Sequence, residues 1–316
     1  MNKEALEKIR HDVLAELANG TTQQFAIIGH TAAAYEIRGM LLAVGAADKL
    51  AGIFSATGSE ENSKRFTELP SHAIDVAIIA SDVDKESVLR AVEPYLQPCT
   101  RVIVAGYEHL KFRNEVFDDV VRNALVPSLA NGYPNSLTHI FQCLQTAARL
   151  GLEGVVAEFG IFKGGTTMML SQFVEKLGQS WKVIGFDTFG GFPEKRSLFD
   201  MYAHPDCVFS DEQAVRRYLD SRDVELVKGD VIETVERLND EDLILAFFDT
   251  DNFSSTSAIL DVVLDRVVVG GSLIFDHFTG VDRFRYTLGE RMAASRLLDD
   301  TRFFHLHDTG VFFRHR

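Results

Sequence analysis

Residues 155 to 167 read VVAEFGIFKGGTT, an apolar run that ends in an acid and passes into three glycines and two threonines. A strand, a glycine turn and a helix N-terminus in that order form a cradle of backbone N–H groups for an anionic ligand. A nucleotide phosphate is the first chemistry to consider. No Gly-Lys-Ser/Thr follows the turn, and Lys163 precedes Gly164 and Gly165, so a P-loop is excluded. The dinucleotide fingerprint needs G-x-G-x-x-G, whereas Gly160, Gly164 and Gly165 give G-x-x-x-G-G. Glu158, just before the turn, would repel a pyrophosphate and suits an ammonium group.

A cofactor with an ammonium, a carboxylate and no phosphate meets these demands, and S-adenosylmethionine is one. Its carboxylate would take N–H groups and hydroxyls from Gly164, Gly165, Thr166 and Thr167. Acids then recur where later strand patterns end. Asp187 closes KVIGFD and can accept both ribose hydroxyls; Asp230 closes VKGD, where an acceptor could meet an adenine amino group; Asp249 closes LAFFD. An acid at one strand end is an ordinary cap. A series in register at the carboxyl edge is a ligand site.

The elements that must carry these residues alternate twice between strand and helix. FAIIG (25–29), LAGIFS (50–55), DVAIIA (75–80) and RVIVAG (101–106), with helical patterns between, predict a small doubly wound α/β domain of about four parallel strands. The second series, GVVAEFG, WKVIGFD, VELVKGD, LILAFFD and GSLIFDH, ends in two short aromatic strands joined at residues 307–310, an antiparallel hairpin. Five parallel strands and a closing hairpin suggest the seven-stranded Rossmann-like sheet of class I S-adenosylmethionine-dependent methyltransferases. The predicted organisation is an N-terminal helix (1–22), a Rossmann-like domain (23–112), a helical connector (113–150) with a hinge at ANGYPNS (130–136), and a cofactor-binding domain (151–316).

EFGIFKGGTT, VIGFDTFGGFPE, FFDTDNFSST and VVVGGSLIFDHF together resemble the macrocin O-methyltransferase family, over about residues 130 to 316. The resemblance implies S-adenosylmethionine as cofactor, contacts from Phe159, Gly160, Thr188, Phe189 and Val231 as well, and methyl transfer to a small-molecule hydroxyl such as a natural-product sugar, often with Mg²⁺. Adjacent strand ends would present Asp249 and Asp276 to the metal, with Asp251 able to share or replace the role of Asp249. The family typically has a second acid or an amide after Asp276, whereas this chain has His277, a poor magnesium ligand and a good general base. A metal at Asp249 and Asp276, a metal-free site with His277 as base, and a plain Asp-His cap all stay open. The aromatic segment 189–212 reads as a lid or acceptor loop, with His204 as a second candidate base. Arg283 and Arg285 could face an acidic substrate.

Composition excludes other classes. A formal net charge of −14 makes nucleic acid an unsuitable partner. Cys99, Cys143 and Cys207 are too scattered for a disulfide framework or a cysteine zinc site, which favours a reducing cytoplasm. The charged N-terminus reads as an amphipathic helix and no stretch approaches a membrane span. In the first domain only Gly29 matches the fingerprint, no acid ends GIFS at Ser55, and His30 reads as a helix cap, so a working NAD site is not expected. That domain reads as a dimerisation, docking or sensing module of a homo-oligomer. N-methylation, a dinucleotide-dependent oxidoreductase and a non-catalytic nucleotide sensor are the alternatives to O-methyl transfer.

Overall fold

The computed structural model describes all residues except Gln23, Glu60, Glu61 and Val281, with the side chains of 282–284 also outside the description. The chain divides into two compact units, Met1–Phe112 and Arg113–Arg316.

The first unit opens with helix α1 (Lys3–Ala18), whose N-cap Asn2 accepts a hydrogen bond from the Ala5 N–H. It continues as β1 (Phe25–Ile28), α2 (Ala32–Ala43), β2 (Leu50–Ser55), β3 (Ser63–Arg65), β4 (Val76–Ile79), α3 (Lys85–Val92) and β5 (Arg101–Ile103). The strands form a parallel sheet in the order β3-β2-β1-β4-β5. Strands β1 and β4 are buried along their whole length, as continuous apolar runs in a two-sided sheet must be. The sheet has five strands where patterning predicts about four. The addition is β3, whose Ser-Lys-Arg carries no apolar signal and pairs only with β2 at the edge.

The second unit contains α4 (Glu115–Arg122), α5 (Ser136–Leu150), β6 (Val155–Phe159), α6 (Gly165–Lys176), β7 (Val183–Asp187), α7 (Glu212–Leu219), β8 (Val224–Lys228), α8 (Val231–Thr234), β9 (Leu243–Phe248), α9 (Phe253–Val263), β10 (Val267–Phe275), α10 (Leu288–Ala294), β11 (Phe303–His305) and β12 (Val311–Arg314). Its sheet runs β11-β12-β10-β9-β6-β7-β8, parallel except for β12, which is antiparallel to both neighbours. These are the five parallel strands and closing hairpin expected from the sequence. The segment read as a connector lies in this unit, and residues 123–135 between its two helices are not helical. The turn at 130–136 is inside the unit as well, where the Gly132 N–H donates to Asp276 Oδ1 at 2.9 Å.

Both faces of this sheet are covered, so β9 (LILAFF) is buried at every position. On one face Phe173 of α6 packs edge-on against Phe141 of α5 at 4.9 Å and stacks on Phe117 of α4 at 5.8 Å between centroids. On the other, Phe159, Phe186, Phe248 and Phe275 form a contiguous aromatic layer across four adjacent strands. Phe173 is fully buried, so Phe173→Ala should cost about 3–5 kcal/mol and lower the melting midpoint by about 10 °C, measured by calorimetry.

Candidate functional site

Strands β6, β7 and β8 build the sheet outward in one direction, and β9 and β10 build it in the other. The chain reverses between neighbours β6 and β9, and the crevice at that reversal is where open α/β sheets hold ligands. The two backbones leave the sheet in very close approach. The Asp249 N–H donates to the Phe159 carbonyl at 2.9 Å, and a Cβ on Gly160 would lie 2.2 Å from the Asp249 carbonyl oxygen. Gly160 also sits at φ +95°, so glycine is required there twice over. Gly165 has the same steric demand, since its Cβ would meet the Pro127 carbonyl oxygen at 2.2 Å.

A cleft of about 530 Å³ opens at this place. Of the residues singled out in the sequence for the cofactor and the chemistry, Gly160, Gly165, Thr166, Asp187, Thr188, Val231, Asp249, Asp251, Asp276 and His277 line it. The others lie behind its wall. Phe159 is in the aromatic core, Phe189 packs among Ile161, Met168 and Val215, and Gly164 is the left-handed N-cap of α6. Glu158 and Thr167 are buried beneath the turn. Asp230 caps α8 through the Ile232 N–H and pairs with Arg196 at 2.8 Å, leaving Gly229 and Val231 to face the cleft. Asp187 takes one backbone N–H on each oxygen, from Phe162 and from Phe189, both at 2.7 Å, and so ties the glycine turn to the end of β7.

One wall reads in the sequence only as connector helix and hinge: Val126, Pro127, Leu129 and Asn131, an irregular stretch in the structure. Ser128 Oγ bonds Thr166 Oγ1 at 2.7 Å and fixes that wall to α6. Segment 189–212 contributes Gly191, Phe192, Pro193, Tyr202 and Cys207. Reciprocal bonds between Tyr202 and Asn252, and from Ser254 to Asp200, hold it to the N-terminus of α9. His204 is exposed and accepts from its own turn at Asp206 N. Arg285 lies over the Tyr286 ring, and the Arg283 side chain falls outside the described residues.

At the ends of β9 and β10 acids crowd around one imidazole. His277 Nε2 lies 2.9 Å from Asp251, 3.5 Å from Asp276 and 3.7 Å from Asp249. Burial works to lower the imidazole pKa, but the Asp251 hydrogen bond and the charges of Glu290, Asp251 and Asp276 outweigh it and raise it to about 9. Asp249 opens on the cleft, yet desolvation and then the neighbouring Asp276, Asp251 and Glu290 charges push its carboxyl well above the usual range. Burial raises Asp276 too, against the pull of His277 and the Gly132 N–H. Glu290, fully buried on α10, is raised to about 7, first by desolvation. Asp249, Asp251 and His277 each offer a ligand atom, all within 4.8 Å of one another. Two carboxylates and an imidazole, with further buried acid behind them, fit a divalent cation. Asp276 stands beside that donor set, its Oδ1 taking the Gly132 N–H and its Oδ2 lying 3.5 Å from His277 Nε2.

The sequence profile of the family described as macrocin-O-methyltransferase (TylF) matches residues 126–315. No curated protein matches the chain. Among solved structures, the O-methyltransferase NovP is 21% identical with a TM-score of 0.47, over 56% of this chain and 78% of its own. The calicheamicin methyltransferase CalS11 is 22% identical with a TM-score of 0.46, over 65% and 95%. PaMTH1 from Podospora anserina, bound to S-adenosylhomocysteine, is 15% identical with a TM-score of 0.37, over 64% and 95%.

Glu158 supplies a test of the buried charge. Desolvation lifts its carboxyl from 4.5 to about 8, aided by Asp187 and opposed by the Thr167 hydroxyl, which approaches without hydrogen-bond geometry. The folded chain therefore binds the extra proton between those values, and stability falls as pH rises through that window. Glu158→Gln removes the titration. Its melting midpoint should match the parent near pH 5 and exceed it by several degrees near pH 8.5; equal midpoints at both would show that ionising Glu158 costs nothing.

Proposed function

Because the chain belongs to the macrocin O-methyltransferase family and is an S-adenosylmethionine-dependent methyltransferase, we propose that it methylates a hydroxyl of a small molecule, with a natural-product sugar as the acceptor class. The observation that carries this reading is a single cleft lined both by the glycine turn with Asp187 and by the Asp249, Asp251 and His277 cluster. Gly165 and Thr166 offer the first turn of α6 to the cofactor's carboxylate, and Asp187, which lines the cleft at the end of β7, is placed to accept from the ribose hydroxyls. The aromatic and apolar surface of Phe162, Phe192 and Val231 suits a purine.

The cofactor supplies a methyl group on a sulfonium. The chain's contribution is alignment of the acceptor oxygen with that carbon and removal of its proton. As the O–C bond forms and the S–C bond breaks, the hydroxyl proton must pass to a base. With a pKa of about 9, His277 is an imidazolium at neutral pH and donates to Asp251. Asp249, whose carboxyl is pushed above its ordinary value and which opens on the cleft, is then the group placed to take that proton. A divalent cation held by Asp249, Asp251 and His277 would polarise the hydroxyl instead, and its binding would require His277 to release its proton.

Saturating S-adenosylhomocysteine, at about 100 times its dissociation constant, should stabilise the protein by about 2.7 kcal/mol, a rise of several degrees in a thermal melt. Asp187→Ala should abolish that rise. An unmoved parent midpoint would sink the cofactor site assigned to this cleft.

The imidazole donor sets the metal preference. Calorimetry should show Mn²⁺ binding at least about tenfold more tightly than Mg²⁺, with both lost in Asp249→Ala, and EDTA should stop methyl transfer until Mn²⁺ is returned. Full turnover in the chelator would leave the proton-transfer role to the carboxylates alone.

A further inference from the structure

Glu290 lies on α10 and has no exposed surface, yet it is absent from the cleft wall. Its two oxygens face different strand ends. Oε2 accepts the N–H groups of Thr250 at 3.2 Å and Asp251 at 3.0 Å, in the loop after β9. Oε1 accepts the His277 N–H at 2.9 Å, in the loop after β10. One carboxyl group thus joins the two loops that carry Asp249, Asp251 and His277.

The loops need such a tie. Asp251 holds φ +62°, a left-handed conformation that costs a residue with a side chain about 1–2 kcal/mol. Residue 251 can keep that turn only if surrounding bonds impose it, and its own N–H is one that Glu290 accepts. The helix that presents Glu290 is itself fixed on both sides. A Cβ on Gly289 would lie 2.3 Å from the Phe199 carbonyl oxygen and 2.8 Å from Phe253 N, so α10 sits directly on segment 189–212 and on the start of α9. Arg291 bonds the Phe278 carbonyl and covers the Phe278 ring, gripping the loop after β10 one residue beyond His277. Consecutive residues of α10 therefore hold the loops after β9 and β10, segment 189–212 and the start of α9.

We propose that Glu290 is the positioning residue of the transfer site: its carboxyl group sets the spacing of Asp249, Asp251 and His277 by fixing both loops from behind. It touches neither cofactor nor acceptor. The cofactor wall comes from the ends of β6, β7 and β8, whereas the hydrogen bonds of Glu290 among the described residues run to the loops after β9 and β10, so its loss alters the cluster and leaves cofactor affinity in place. The positioning role in catalysis rests on the methyltransferase reading of the cleft; the clamp itself does not.

Glu290→Gln keeps the size and turns one acceptor oxygen into an N–H₂ group that confronts a backbone N–H. Hydrogen exchange should speed up by about tenfold or more at Thr250, Asp251 or His277 while the amides of β9 keep parent protection. In the same variant Mn²⁺ affinity should fall by about tenfold or more, with S-adenosylhomocysteine affinity within about twofold of the parent. Glu290→Asp, which keeps the charge but withdraws it by one methylene, should reproduce the pattern and serves if the amide does not fold. Parent protection at all three amides would overturn the proposal, as would equal losses for Mn²⁺ and S-adenosylhomocysteine or exchange spreading through β9. Failure of the parent to bind S-adenosylhomocysteine would instead remove the methyltransferase reading, with the three amides still reporting on the clamp.

Discussion

Negative charge packed around one imidazole at the ends of β9 and β10 is the constraint to which the rest of the site answers. Asp251, Asp276 and Glu290 are buried, and Asp249 meets them at the cleft surface. Acids taken out of water must find donors or a cation, or else keep their protons. They share His277 but differ in their hydrogen bonds. Asp276 takes the Gly132 N–H, Glu290 takes three N–H groups, and Asp251 takes His277. Asp249 is left with His277 at 3.7 Å as the described cation within reach. Of the three acids of this cluster that line the cleft, Asp249 is thus the one whose charge is least answered by the described residues. Proton transfer or cation binding in the cleft relieves that imbalance, which ties the site's chemistry to the cost of building it.

The first unit shows that the architecture alone does not make such a site. It has the same kind of reversal, with β1 and β4 adjacent and the chain leaving to both sides. The acid at its corresponding edge, Asp82, is matched by Lys85 at 3.1 Å, and Lys85 is further satisfied by the carbonyls of Ala105 and Gly106. A Cβ on Gly106 would collide with the Asp82 carboxylate, so the pair is packed shut. One sheet edge closes its buried charge internally and the other holds it open toward a cleft. Fold is shared between them; chemistry is not.

The fold was legible because its strands are continuous apolar runs and its turns are glycines under steric compulsion. VVAEFG, VIGFD and LILAFF each become a strand at the place expected, and Gly160 and Gly165 sit where a side chain cannot. The cluster was legible in part. Asp249, Asp251, Asp276 and His277 converge, but nothing in their spacing says that Asp251 makes the shortest approach to the imidazole or that one Asp276 oxygen takes the Gly132 N–H. Asp230 was an apt acid at an apt strand end, and Arg196, distant in sequence, engages it. Glu290 lies in a helical pattern where a buried glutamate looks like a solvated one. Its meaning depends on three amide groups 13, 39 and 40 residues away. Periodicity reports which side of an element is buried, and says nothing about which backbone groups wait there.

The same distinction bears on where acceptor choice resides. The surfaces that converge on the cleft from outside the sheet are irregular: residues 126–131 and segment 189–212. Phe189 and Ala130 reach the core from these segments, and side-chain bonds hold the rest, Ser128 to Thr166 on one side, Asp200 to Ser254 and Tyr202 to Asn252 on the other. Such segments can change length and shape without disturbing the aromatic layers beneath the sheet. The acids cannot change so freely, because each is fixed by a neighbour that would be left buried and unpaired. A division of labour follows from the energetics: a charge-strained floor keeps the transfer geometry, and irregular walls, anchored at a few residues, select what is laid upon it.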